Sequence, residues 1–333
     1  MEGNGGAAGL TLGAASARNR PREWGGAAAG ALVATLGQPR WWAIALASFL
    51  VRGGIVVVVL PIMTLPTVAT LSSLASPTIV AIAFGSPPPG MVATYTLAGT
   101  LLAAWAALAA VVGAWLDLEL VDEVAREEDL DLNERPAGRP LRRAIAVRLV
   151  PHAGTVLATT YAAIRLVVEA YGEILSPGDA AVPLVWRIIL RAPDGIAVLG
   201  AAWLAGEAIG GLAVRRVAAG SSASDALLDG LRRLITPAGL ATLAVTSVGV
   251  ALAVVPLWLV AARAWDQARV LLVDGAPVLL LLPSLVLFVV TWALGLAILA
   301  VGLAWRAAAW SVEAERARGD RASEAASKTL PGA

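Results

Sequence analysis

The sequence has no cysteine, a single histidine (His152), a single lysine (Lys328), and only three tyrosines and three phenylalanines. Without cysteine there is no disulfide, no thiolate nucleophile, no Cys-ligated zinc and no iron–sulfur cluster. Charge is also scarce. Asp, Glu, Lys and Arg make up 15% of the chain, against roughly 25% in soluble proteins. A formal net charge of +1, with basic residues scattered rather than gathered on one face, gives no footprint for nucleic acid.

Apolar residues fill the gap. They amount to 58% of the 333 residues, and mean hydropathy is +0.77, a composition suited to lipid. Arginine supplies nearly all the basic charge and alanine abounds, a bias associated with a GC-rich bacterial genome, so the expected location is a bacterial plasma (inner) membrane.

A bilayer core of about 30 Å takes about 20 apolar residues in a helix rising 1.5 Å per residue. Six stretches meet this: 41–63, 93–116, 144–170, 195–214, 237–262 and 277–304. A seventh, 66–85, is long enough but rich in Ser and Thr, and Pro77 interrupts it. Arginine distribution chooses between six and seven crossings, because cytoplasmic loops accumulate Lys and Arg. With six crossings and the N-terminus inside, 18 basic residues fall inside and 4 outside; a seventh crossing reduces the best split to 14 against 8. Six spans with both termini cytoplasmic is therefore the expected topology. Residues 66–85, with the turn that follows at 86–90, are left as a re-entrant or interfacial segment on the outer face. Trp41, Trp42, Trp115, Trp186, Trp258, Trp265, Trp305 and Trp310 fall near span ends, where an indole suits the headgroup region.

The expected fold is an all-α polytopic transmembrane helix bundle occupying 41–310. It is preceded by a disordered basic cytoplasmic tail over 1–40 and followed by a polar cytoplasmic tail over 311–333. The AxA-like stretch from Ala15 to Ala17 is not read as a signal-peptide cleavage site, because arginines follow it and glycines interrupt the run. Residues 221–235 combine a Ser cap, Leu227, Leu231 and Leu234 on one face, and Arg232 and Arg233. They read as an in-plane helix on the cytoplasmic surface.

Four ionisable residues form a candidate intramembrane polar site: Arg52, Arg148, His152 and Glu207. Arg52 lies in the middle of the first span, in VRGGIVVVV, where an arginine costs about 2.5 to 3.5 kcal/mol. Glu207 is the acid well inside a span and so the natural partner for Arg52. Its neighbours Gly206 and Gly210 form a small-xxx-small face suited to close helix contact. In the third span Arg148, His152, Thr155 and Thr159 share one helical face, and Arg165 and Glu169 are spaced to pair with each other. The acidic loop 117–134 reads as a solvated extension of the second span. Asp129, Asp131 and Asn133 begin like a calcium loop, but Glu134 replaces the required glycine and Pro140 the closing glutamate. No metal site and no cofactor are expected.

Two segments, GQPRWWAIALASFLVRGG and SSASDALLDGLRRLITPAGLATLAV, resemble uncharacterised bacterial six-helix membrane proteins. The second is similar in style to the membrane domain that accompanies some glycerophosphodiester phosphodiesterases. The resemblance implies architecture alone, since the polar loops are too short for a catalytic domain and the one histidine lies in a span. The spans lack paired carboxylates, a His-rich cluster or a nucleophile motif, so the chain is not read as an enzyme. The leading expectation is a membrane scaffold or accessory protein that contacts the lipid bilayer and a membrane protein partner or a second copy of itself. The alternative is a small-solute transporter or channel subunit, suggested by the polar residues within the spans.

Overall fold

The computed structural model describes residues 24–62, 89–127, 140–176 and 184–329, with side chains as far as 314, and isolated positions between 73 and 85. Expectations for 1–23, for the ambiguous segment 66–85 and its turn, and for the calcium-like loop fall largely or wholly outside these residues.

Among the described residues the chain is helical and without strands. In chain order the helices are α1 (Trp24–Gly37), α2 (Pro39–Phe49), α3 (Ile55–Val59), α4 (Pro89–Glu127), α5 (Leu141–Leu149), α6 (Ala153–Leu175), α7 (Leu184–Arg191), α8 (Pro193–Ala218), α9 (Ala223–Leu234), α10 (Pro237–Val273) and α11 (Val278–Thr329). Proline opens α2, α8 and α10, where its missing N–H is no loss and its fixed φ suits the helix. Ser222 and Thr236 cap α9 and α10 by accepting the backbone N–H of Asp225 and Gly239, at 3.2 and 3.1 Å.

Six segments are long and apolar enough to cross a bilayer: Pro39–Val59, Pro89–Glu127, Leu141–Glu173, Pro193–Ala218, Pro237–Val273 and Val278–Ala314, with mean hydropathies of 1.2 to 2.6. The chain is an all-α polytopic membrane bundle, and its six spans are the six expected ones, most of them longer, with the first ending at Val59 rather than 63. Their outward faces carry large apolar side chains such as Leu102, Leu157 and Leu252, each more than two-thirds exposed, a surface suited to lipid and not to water.

Packing is concentrated at one end of the bundle. There the C-terminal parts of α4, α8 and α11 meet α1, α5, α9 and the start of α2, and Val124, Val147, Val214 and Val217 are fully buried. Toward the other end the helices part, and α4 is exposed on every face from 92 to 108. Helix α8 is the hub. From Gly206 to Ala218 it is almost wholly buried, against α5, α9, α4 and α11.

Three expectations are corrected. Residues 24–37 are not part of a disordered tail: α1 buries Ala27, Ala31 and Thr35, because a run of small side chains lets it lie close against α11. The polar stretch after residue 310 is helical as far as 329, a continuation of α11. Trp41 and Trp310 do not present their rings to the surface, as a headgroup anchor would, but are buried inside the bundle, at 1% and 4% exposure. Helix α9 exists as expected, but it faces the bundle through Ala226, Gly230 and Leu234, leaving Leu228 and Leu231 exposed. Gly230 approaches α8 so closely that an added Cβ would lie 2.9 Å from the Ile209 carbonyl, which is why the small residues turn inward.

Candidate functional site

The first span is broken in its middle. Between α2 and α3, residues Leu50–Gly54 form a π turn in which Arg52 has φ −82° and ψ 19° and Gly53 has φ +99°. A side-chain-bearing residue resists that last value, and glycine does not. The break turns Arg52 inward, where its Nε donates to the Ser48 carbonyl at 3.0 Å. Helix α4 makes room through Gly113, whose Cβ, if present, would lie 3.0 Å from Arg52 Cγ.

One turn beyond Gly113, Asp117 is buried at 7% exposure. It accepts a hydrogen bond from Ser48 Oγ at 2.9 Å and pairs with Arg52 Nη1 at 3.4 Å and Arg148 Nη2 at 2.5 Å. Glu207 of α8 faces the same two arginines, with Oε2 at 3.2 Å from Arg52 and 3.5 Å from Arg148. His152 completes this group. Its Nδ1 lies 2.8 Å from the Arg148 carbonyl, an acceptor only, so Nδ1 carries the ring hydrogen; Nε2 stands 3.5 Å from Glu207 Oε1. Arg148 lies in the last turn of α5, and His152 ends a second interruption, the 3-10 turn Val150–His152 between α5 and α6. Pro151 there has no N–H to return to the Val147 carbonyl. Gly210 of α8 lets α5 approach: a Cβ on it would lie 3.2 Å from Arg148 Cδ and 3.3 Å from the Val147 oxygen.

Two further arginines lie beside the group. Arg215 of α8 donates to Ser311 Oγ at 2.9 Å, to the Ala307 carbonyl at 2.6 Å and to the Gly211 carbonyl, all neutral acceptors. Arg306 of α11 stacks over Trp310, 5.4 Å from the ring centroid, with Arg215 at 5.7 Å. Among the described residues neither has a carboxylate within ion-pairing distance. Glu313, farther along α11, accepts a hydrogen bond from Thr242 instead. Arg52, Asp117, Arg148, Glu207, Arg215 and Arg306 line a cavity of about 40 Å³, several times the roughly 10–15 Å³ that one water needs. The cavity is deep: Glu207 is about 21 Å along the helix axis from the start of α8 and about 16 Å from its end, at 1.5 Å per residue.

All four residues singled out in the sequence meet here, and the Arg52–Glu207 pair is present. The rest of the His152 stripe does not take part. Thr159 is exposed and turns its hydroxyl onto the Thr155 carbonyl at 2.7 Å. Arg165 and Glu169 pair at 3.6 Å, but the closer partner of Arg165 is Asp194, at 3.0 Å.

Asp117, Arg215 and Arg306 were assigned to polar loops and are instead buried or half-buried cavity walls. One signal marks Asp117: it lies four residues after Gly113 and shares a face with Leu120, Val121 and Val124, which continue the apolar pattern past the first charge. Among the described residues no group of three or more Asp, Glu, His or Cys is placed to hold a metal ion.

The fold and this cluster define a class, the polytopic α-helical membrane protein with a polar cavity inside its bundle. No family model matches the chain, and neither a curated protein nor a solved structure is significantly similar to it.

Proposed function

We propose that the chain is a small-solute transporter or channel subunit of a bacterial plasma membrane, with both termini cytoplasmic and the cavity as its solute site. The observation that carries this reading is the interruption of the first span at Arg52, whose charged side chain faces a polar cavity. Non-helical backbone at membrane depth persists where protein or a water-filled cavity satisfies it. Broken helices of this kind form the ligand sites of many transporters. A scaffold that only packs and docks has no use for six charged side chains from five helices around a cavity, and its support, the exposed apolar faces, is met equally well by lipid.

The test is flux. Proteoliposomes carrying the protein and a panel of radiolabelled small anions and cations should admit at least one solute faster than empty liposomes, with the rate falling about tenfold or more in Arg52→Ala, the loss expected for removing one charged hydrogen-bonding group. Absence of flux for every solute, together with a constant co-purifying partner, would return the protein to the scaffold or accessory role.

A further inference from the structure

We infer that the cavity binds a tetrahedral oxyanion of the phosphate or sulfate kind, carrying about two negative charges; this rests on the reading of the cluster as a ligand site and names the ligand's class. The first argument is charge. Four guanidinium groups, Arg52, Arg148, Arg215 and Arg306, face one cavity with two carboxylates, Asp117 and Glu207, leaving an excess of two positive charges with His152 counted neutral. The carboxylates are committed to Arg52 and Arg148, so the excess belongs to Arg215 and Arg306. Arginine does not shed its proton inside a protein, so the imbalance is met by a counter-charge rather than by discharge. Water in the cavity would satisfy hydrogen bonds and leave the charge.

The second argument is the pattern of donors. Arg148 Nε and Trp310 Nε1 are buried N–H groups without an acceptor, and both residues line the cavity. At 8% and 4% exposure they are too enclosed for bulk water to serve them, and a buried donor without a partner is costly. Unused donors beside unpaired guanidinium groups call for a ligand with several acceptor oxygens. A planar guanidinium matches two oxygens of an oxyanion at once, which a halide does not offer.

The same oxyanion chemistry is presented by free phosphate and by the headgroup of an anionic phospholipid such as phosphatidic acid, and one experiment separates them. Full-length protein, purified in detergent without phosphate or sulfate, is dialysed against radiolabelled inorganic phosphate or sulfate, with chloride as competitor. The expected result is saturable binding of about one equivalent per chain. It should weaken about tenfold to a hundredfold in Arg306→Gln, the loss expected for one charge-assisted contact, and also weaken in Trp310→Phe, which keeps a smaller aromatic ring there and removes the free N–H. If purified protein instead retains stoichiometric phosphatidic acid, and Arg306→Gln does not, the phosphate chemistry stands and the source is lipid.

Wild-type binding no better than Arg306→Gln, with no retained phospholipid, would overturn the inference. So would chloride competing as well as phosphate at equal concentration. Phosphate binding without flux of any solute leaves the anion site standing and removes the transport reading; cation flux without phosphate or phospholipid binding does the reverse.

Discussion

Asp117 ties the cluster together. It is the acceptor for Ser48 Oγ and the partner of both Arg52 and Arg148, so its charge holds α2, α4 and α5 in one arrangement. Removing one member of a buried ion pair is far more costly than the pair is stabilising, because it strands the other charge. Asp117→Asn should therefore lower stability by about 3 to 5 kcal/mol, read as the loss of resistance to SDS unfolding in mixed micelles. A surface change such as Arg40→Ala, at an arginine whose side chain is 62% exposed, should shift it by about 1 kcal/mol or less. In the cycle of Arg52→Ala, Glu207→Ala and the double variant, a coupling energy of about 0.5 to 3 kcal/mol is expected for side chains in direct contact, and simple additivity would sink the pairing. Arg52 and Glu207 were legible in the sequence because a charge inside an apolar run stands out against its neighbours. Asp117 and Arg306 were not, because each is the first charge after such a run, and a span end looks the same whether the helix stops or continues as buried structure.

At the level of elements, the break between α2 and α3 is written in two adjacent glycines, and the two act differently. A Cβ on Gly53 would meet nothing within 4 Å, whereas one on Gly54 would run into the Phe49 ring. Substitution at Gly53 therefore acts through backbone conformation alone. Gly53→Ala should destabilise by about 1 to 2 kcal/mol, the cost of forcing an L-residue toward a left-handed conformation. If the break serves the site, the same change should lower flux more than Gly99→Ala, at an exposed position of α4 where an added Cβ also meets nothing. Equal effects of the two substitutions would remove the break from the function. The six spans were legible, since apolar runs need only length and hydropathy to be recognised, whereas α1 was not, because its small, glycine-interrupted run is too short to cross a bilayer. The interruption was harder to see, because Arg-Gly-Gly before a run of valines fits either a straight span with a packing notch or a break, and only the contacts of Arg52 with α4 and α8 decide between them.

For the molecule as a whole, the close-packed end and the open end lie on opposite sides of the bilayer if six spans cross it. The packed end carries Arg143, Arg216, Arg232 and Arg233, around α9 and the start of α5, in keeping with a cytoplasmic face. The exposed Leu228, Leu231 and Ile235 of α9 and its end are placed to enter the interface while the exposed Arg143 and Arg232 meet anionic headgroups. The absence of cysteine makes the natural chain a ready background for labelling. Single cysteines at Ser224 of α9 and at Ala276, in the turn between α10 and α11, should react with a membrane-impermeant maleimide from opposite sides. Ala276→Cys should be labelled in intact cells and Ser224→Cys only after the membrane is opened. A cysteine at Glu127, where α4 ends, should behave like Ser224→Cys, because α4 carries the chain back to the packed end. Labelling of Glu127→Cys from outside intact cells would reverse the assignment of sides. Labelling of Glu127→Cys and Ala276→Cys from different sides, with the Ser224 site following Glu127, is the pattern that six crossings require, because two spans, Leu141–Glu173 and Pro193–Ala218, separate Glu127 from Ser224 and a third, Pro237–Val273, separates Ser224 from Ala276.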